Sequence, residues 1–307
     1  MKVIYLGTPE FAVNPLKALI ESQNHQVMAV VTQPDRPVGR KNVITPPPVK
    51  VTATGNGIPV YQYEKIRVEG VEDLKKINAD IMVTCAYGQI LSREIIDICK
   101  YGIINIHASL LPKYRGAAPI QYAVINGEKT TGVTIMQTEE GIDTGDILAT
   151  FETDIGETET AAELMGRLSI LGAKNISSVL DKIESGEIIP LKQDESKASI
   201  VKMIKKEDAL IDFTKDCNSV KNLINGMNPW PIAYTSFGGK KLKIFRAKVV
   251  EGKGKPGEVI KVDKRLVIAC GSGAIDVFSL QEEGGKPMVA SSYLNGRKLK
   301  VGDILGE

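Results

Sequence analysis

The sequence predicts an α/β fold with a mainly parallel sheet, followed by a smaller all-β domain. Three observations carry this. Apolar, strand-like runs alternate with helix-like stretches as far as about residue 190, the pattern produced by βαβ crossovers. Beyond residue 207 short strands follow one another, separated by Gly pairs and Lys turns, the texture of a small barrel or sandwich, a barrel of the oligonucleotide-binding type being one option. The 307 residues also exceed the roughly 250 that a single hydrophobic core organises. The chain is therefore divided into a first domain (1–190), a basic linker (191–206) and a second domain (207–307).

Each element has a local reason. "KVIYLG" (2–7) reads as a buried strand. Thr8-Pro9-Glu10 then offers an N-cap, a first-turn proline and an acid to a helix over "FAVNPLKALIES" (11–22), in which Pro15 is placed to bend or shorten the rod. "HQVMAVVTQ", "ADIMVTCAYG" and "GIINIHAS" are further apolar strands, with a short helix at "SREIIDIC" between the last two. "TGVTIMQ" and "GDILATFETDI" flank the turn "TEEGIDT", and a long amphipathic helix over 157–186 repeats Ala162, Leu164, Leu168, Ile170, Leu171, Ile176, Val179, Leu180 and Ile183 at helical spacing. In the second domain "DALIDF" suggests a strand and "SVKNLINGM" a helix, before the strands "AYTSF", "KLKIFRA", "GEVIKV", "LVIACG" and "AIDVFSL".

Composition excludes several classes. With 43% apolar and 25% charged residues the chain is an ordinary globular one. No apolar run approaches the roughly 20 residues a membrane span requires, and "MKVIYLGTPEF" is too short a stretch for a signal peptide, so a cytoplasmic protein is expected. Cys85, Cys99, Cys217 and Cys270 are far apart and form no C-x-x-C pair, so neither a zinc site nor a disulfide framework is indicated. Residues 207–307 carry 16 Lys+Arg against 12 Asp+Glu, net +4, whereas residues 1–206 carry 23 against 25, net −2. The linker adds five lysines to two acids. A basic junction feeding a basic second half suits a polyanionic partner, although solvated surface lysines explain it as well.

The chemistry concentrates in "NIHASLLPKYRGAAPIQ" (105–121). His107 ends a strand at the edge where open α/β sheets bind ligands, and Tyr87 falls at the same edge. Asn105 shares its face because strand side chains alternate, placing amide and imidazole about 6–7 Å apart along the strand. Such a pair can hold a carbonyl oxygen and handle a proton. No G-x-S-x-G elbow or reactive Cys motif is present, which favours direct acyl transfer without a covalent intermediate. "EEGIDTGDIL" supplies Asp143 between Gly141 and Gly145, glycines that let a carboxylate approach another loop. A surface turn acid is the bland alternative.

Together with "GTPEFAV", "TQPDRPVGR", "GIDTGDIL" and "GMNPWPIAYT", this segment resembles, over nearly the whole chain, the family of formyltransferases that use 10-formyltetrahydrofolate. The resemblance implies a Rossmann-like mainly parallel catalytic domain and an OB-like C-terminal β-barrel. It implies transfer of the formyl group of 10-formyltetrahydrofolate, without a metal, to the α-amine of methionine esterified to initiator tRNA. Asn105, His107 and Asp143 map onto the family's catalytic Asn, His and Asp, the first two stabilising the tetrahedral oxyanion and Asp143 orienting His107 and helping to remove the amine proton. The folate contact maps onto Ser109, Leu110, Leu111 and Pro112, with Tyr87, Gly88, Gln89, Ile90 and Leu91 lining the pterin pocket. "PDRPVGRKNVITPPPVK" maps onto the loop that enters the tRNA acceptor arm, with Arg40 as its key arginine beside Arg36 and Lys41, while Lys205 and Lys206 match a position beside the acceptor stem. Lys41 stands where many members have Gly. A monomer acting on tRNA and folate, with no membrane contact, is expected.

Three alternatives are weaker on the residues. A nicotinamide oxidoreductase lacks its second and third glycines after Gly7. A non-catalytic RNA-binding protein leaves the Asn-His-Asp set without a role. A sister formyltransferase acting on a small amine has no use for the basic loop and basic second domain.

Overall fold

The alternating strands assemble into a seven-stranded sheet. In the computed structural model, which describes residues 1–39, 41–296 and 299–306, its strands are β1 (Lys2–Gly7), β2 (Gln26–Thr32), β5 (Val60–Gln62), β6 (Ile81–Cys85), β7 (Ile103–His107), β8 (Thr130–Gln137) and β9 (Ile147–Asp154). They lie in the order β9-β8-β7-β6-β1-β2-β5. Strands β1, β2, β5, β6 and β7 run parallel and β8 is antiparallel to β7. Chain order reverses between β1 and β6, the position outside whose carboxyl ends open α/β sheets receive ligands.

Two compact units account for the chain. The first comprises Met1–Gly116, Gly132–Thr153 and Met165–Ile200. One face of its sheet buries Ile4, Leu6, Met82 and Ile103 with Ile66, Leu74 and Ile95 from the flanking helices. Cross-strand register sets Ile4 beside Met82 and Met82 beside Ile103, then Leu6 beside Thr84 and Thr84 beside Asn105. The same face therefore turns from apolar to polar toward the carboxyl ends of β6 and β7.

Several local expectations are corrected. Thr8 does not cap the next helix: its hydroxyl donates to the Tyr87 carbonyl at 2.9 Å and accepts from the Gln33 N–H at 3.3 Å, tying together the segments that follow β1, β2 and β6. A 3-10 turn at Glu10–Ala12 precedes α1 (Val13–Ile20), and Pro15 is tolerated in the first turn, where its missing N–H has no intrahelical acceptor. The proline-rich connection contains a hairpin, β3 (Arg36–Val38) against β4 (Val43–Thr45). Left-handed Gly39 (φ 72°) and Asn42 (φ 47°) supply its turn, and the β-branched run Val43–Thr45 supplies strand propensity. Next come α2 (Pro48–Gly55), α3 (Ile66–Glu69), α4 (Val71–Ile77) and α5 (Arg93–Ile96). The long helix α7 spans Ala161–Ser185, stopped by Gly186 at φ 75°.

The second unit comprises Ala117–Thr131, Asp154–Leu164 and the chain from Val201 onward. By contact, 117–131 and 154–164 thus belong with the C-terminal part, although they precede residue 190 in sequence. A five-strand antiparallel path runs β10 (Ala233–Phe237), β11 (Lys240–Val250), β14 (Ala274–Glu282), β13 (Leu266–Ala269), β12 (Val259–Val262). Leu242, Ile244, Ile268, Ile275 and Leu280 form its core with Val220 and Ile224 of α8 (Cys217–Gly226), while α6 (Pro119–Ile125) and α9 (Ala290–Asn295) complete the helices. Asp216 caps α8, accepting from the N–H groups of Asn218 and Ser219. "DALIDF" is no strand: Glu207–Ala209 form a 3-10 turn and Leu210 makes a single bridge to Tyr234.

Candidate active site

The site begins with Asn105 and His107 on β7. Asn105 is half-buried, and its Oδ1 lies 2.9 Å from the Thr84 hydroxyl. That hydroxyl also faces the Ile104 carbonyl at 3.2 Å, so one proton serves two oxygens. Holding Oδ1 against β6 leaves the amide N–H donors of Asn105 for whatever enters beyond the strand end.

His107 is buried, 6% exposed, yet each ring nitrogen meets an oxygen. Nε2 lies 3.0 Å from the Tyr114 carbonyl and Nδ1 lies 3.6 Å from Asp143 Oδ2, the latter beyond hydrogen-bond distance. A carbonyl only accepts, so Nε2 carries the proton of this contact and Nδ1 is turned toward the carboxylate. A proton on Nδ1 has Asp143 as its partner after a shift of a few tenths of an ångström.

Asp143 is positioned by its loop. Its φ of 52° is left-handed, uncommon for a non-glycine residue, and its Oδ2 accepts the Gly116 N–H at 2.8 Å. Gly145 is required close by, because a Cβ there would lie 1.9 Å from the Gln137 carbonyl oxygen. Gln193 spans the loop, its Nε2 donating to the carbonyls of Asp143 (2.8 Å) and Gly145 (2.7 Å). Gln193 Oε1 accepts from Nε and Nη2 of Arg115 at 3.0 and 2.8 Å. Arg115, 3% exposed, also grips Glu195 through two bonds of 2.9 and 2.7 Å, a bidentate pair that fixes the guanidinium plane and pulls the Glu195 carboxyl below its ordinary range. Ala86 (φ 47°) and Tyr114 (φ 61°) add two more left-handed non-glycine residues around the strand ends, the kind of backbone cost found at functional sites.

The expected folate-lining residues divide. The 109–112 turn is braced: Thr134 donates to the Ser109 carbonyl (2.7 Å) and accepts from the Leu111 N–H (3.1 Å), and the Ser109 hydroxyl donates to the Lys113 carbonyl (2.7 Å). Leu110 is half-buried, Leu111 is buried, and the Pro112 carbonyl accepts from the Ser199 N–H. Tyr87 packs in the apolar core, where burial pushes its phenol up. Gln89 is spent inside the fold, accepting from the Ile66 N–H and donating to the Tyr63 carbonyl. Gly88 takes φ 85°, Leu91 packs on the core, and Ile90 is 76% exposed.

Of the residues expected to meet tRNA, Arg36, Lys41, Lys205 and Lys206 are exposed. Arg36, on the hairpin, pairs with Glu64, Lys41 sits in its turn, and Arg40 lies outside the described residues. Lys205 and Lys206 belong to the second unit. Sequence reading missed Thr84, the Tyr114 carbonyl, Arg115, Gln193 and Glu195. Arg115 stood within the quoted segment, its signal being an arginine amid apolar and turn residues. Gln193 and Glu195 gave none, since the stretch around them was weighed for its lysines.

No cluster of His, Cys, Asp or Glu suited to a metal occurs among the described residues, and none of their helices is long and apolar enough to cross a membrane.

Residues 1–180 match the formyl transferase family, and residues 203–298 match the formyl transferase C-terminal domain. Methionyl-tRNA formyltransferase of Citrifermentans bemidjiense is 47% identical over 309 aligned positions, covering 100% of this chain and 97% of that protein. Among solved structures, an N-formyltransferase from Helicobacter canadensis in complex with folinic acid and dTDP-3-aminofucose superposes with a TM-score of 0.70 at 20% identity, over 90% of this chain and 98% of that one. Methionyl-tRNA formyltransferase from Clostridium thermocellum gives a TM-score of 0.57 at 20% identity, over 82% and 95% respectively. By these matches, the chain belongs to the formyl transferase family.

Proposed function

We propose that the chain is a methionyl-tRNA formyltransferase: it moves the formyl group of 10-formyltetrahydrofolate to the α-amine of methionine esterified to initiator tRNA, in the cytosol, as a monomer. The observation that carries this reading is the full-length 47% identity to a protein of that name, joined to an Asn, a His and an Asp gathered at the carboxyl end of β7.

The reaction forms one C–N bond and breaks another, with one proton leaving the amine and one reaching the folate nitrogen. Asn105 donates its amide N–H to the formyl oxygen as that oxygen gains charge, the Thr84 contact having fixed its orientation in advance. Asp143 and His107 take up the amine proton; contact of His107 with the formyl oxygen requires the ring to release the Tyr114 carbonyl. The 109–112 turn, together with 86–91, forms the folate wall.

In this reading residues 1–190 carry the chemistry, 191–206 form the basic junction and 207–307 hold tRNA, with Arg36, Arg40, Lys41, Lys205 and Lys206 contacting its backbone or bases. The test is incubation with 10-formyltetrahydrofolate and charged initiator tRNA, with formylmethionine quantified. A dTDP-amino sugar is offered in parallel as acceptor. Formylation of the sugar and not of the tRNA would overturn the assignment.

A further inference from the structure

The turn that faces His107 carries backbone strain. Tyr114 holds a left-handed φ of 61°, which a bulky residue keeps only where its surroundings over-determine it. Its carbonyl must nevertheless stand in one place, because it accepts from His107 Nε2 at 3.0 Å. The same turn ends at Gly116, whose N–H holds Asp143 Oδ2 at 2.8 Å. Both the imidazole and the carboxylate therefore take their bearings from residues 114–116.

Ser199, 85 positions after Tyr114, fastens that turn. Its hydroxyl accepts the Tyr114 N–H at 2.8 Å, its N–H donates to the Pro112 carbonyl at 3.2 Å and its carbonyl accepts the Arg115 N–H at 2.8 Å. The carbonyl of the intervening Lys113 is held by the Ser109 hydroxyl. All of these residues lie in the first unit. Two of the three bonds use the backbone of Ser199, so a side-chain change leaves them in place. The bond to the strained residue itself depends on the hydroxyl.

The effect reaches the ring. A neutral imidazole carries one proton, and the partner of one nitrogen decides the state of the other. With the Tyr114 carbonyl taking Nε2–H, Nδ1 keeps a lone pair and faces Asp143 Oδ2 across 3.6 Å. Two acceptors confronting each other form a place for one proton. A displaced carbonyl lets the ring adopt the other tautomer, with its proton on Nδ1 against Asp143, and that place is then filled in advance. We propose that Ser199 is a positioning residue for formyl transfer: its hydroxyl fixes the Tyr114 carbonyl, which keeps the His107 proton on Nε2 and leaves Nδ1 with Asp143 to receive the proton of the attacking amine. That uptake needs no release of the Tyr114 carbonyl. The catalytic step rests on the formyl-transfer reading, whereas the tautomer does not.

The test compares wild type, Ser199→Ala and Ser199→Thr in the full chain. Only two histidines are present, His25 and His107, so the imidazole nitrogen resonances of isotopically labelled protein are assigned by their loss in His107→Gln. Spectra are taken at about pH 8.5, two units above the ordinary imidazole pKa. In wild type, Nε2 of His107 is expected at the protonated position and Nδ1 at the unprotonated one. In Ser199→Ala the two resonances should move toward each other, and Ser199→Thr, which keeps a hydroxyl, should restore them. Formylation kcat should fall about 5- to 10-fold in Ser199→Ala and recover in Ser199→Thr, with KM for both substrates near wild type. Because the side chain is exposed, Tm should stay near wild type in both variants. A wild-type ring with its proton on Nδ1, or Ser199→Ala resonances identical to wild type, overturns the proposal. So does a changed ring with unchanged kcat. If wild type formylates no acceptor, the reading of function fails, and the ring resonances alone decide whether Ser199 sets the tautomer.

Discussion

Asn105 and Asp143 rest on opposite kinds of support. Asn105 sits in a parallel ladder, paired in register with Thr84, so neighbouring strands fix its position. Asp143 sits on a loop at a left-handed φ, held by a backbone N–H and by Gln193, 50 residues further along. A strand-borne group inherits its geometry from the sheet; a loop-borne group must be tied in place by distant side chains. The first kind responds only to changes at the residue and its immediate neighbour, whereas the second responds to changes far away.

That contrast can be broken or sharpened by substitution. The largest effect is expected from Asn105→Ala, which should lower kcat by on the order of 10³, the cost of losing one preorganised donor to a developing oxyanion, with tRNA affinity and Tm near wild type. Asp143→Asn keeps an acceptor for Gly116 and removes the charge, so single-turnover kinetics should show a loss on the order of 10². Gly145→Ala drives a Cβ into the Gln137 carbonyl; the loop must move, and we expect activity to fall by on the order of 10-fold or more, with a Tm lowered by several degrees. Gln193→Ala should reduce kcat roughly 10-fold through misplacement of Asp143, and the double variant with Asp143→Asn should lose less than the product of the two. Thr84→Val comes last, with about a 2- to 5-fold drop in kcat from a freed Asn105 amide, restored by Thr84→Ser. If Thr84→Val proved as costly as Gln193→Ala, strand and loop would not differ in the way described.

The same contrast explains what the sequence revealed. Buried parallel strands are continuous apolar runs, so β1, β2, β6 and β7 were legible, and period-two alternation placed Asn105 and His107 on one face. Asp143 was legible as a candidate because glycines bracket it. Its restraints were not, because Arg115, Gln193 and Glu195 meet only in three dimensions. Thr8 misled by fitting a capping pattern when its hydroxyl was committed to Tyr87 and Gln33. For Tyr87 and Gln89 the sequence did not show the surroundings: the Tyr87 ring packs in the apolar core, and the Gln89 amide binds backbone groups of Tyr63 and Ile66. The hairpin at Arg36–Thr45 was hidden by Pro37, Lys41 and the flanking prolines, which look like loop composition until the β-branched run at Val43 is weighed.

The Arg115–Gln193 clamp bears on how this enzyme could be trimmed. Cutting the chain at 190, where strand-helix alternation stops, would strip a buried guanidinium of its carboxylate and amide partners and release the carbonyls of Asp143 and Gly145. A fragment that keeps these contacts therefore extends through Ser199, whose hydroxyl accepts the Tyr114 N–H; as far as Ile200, the stretch that looks like a tether packs with the first unit.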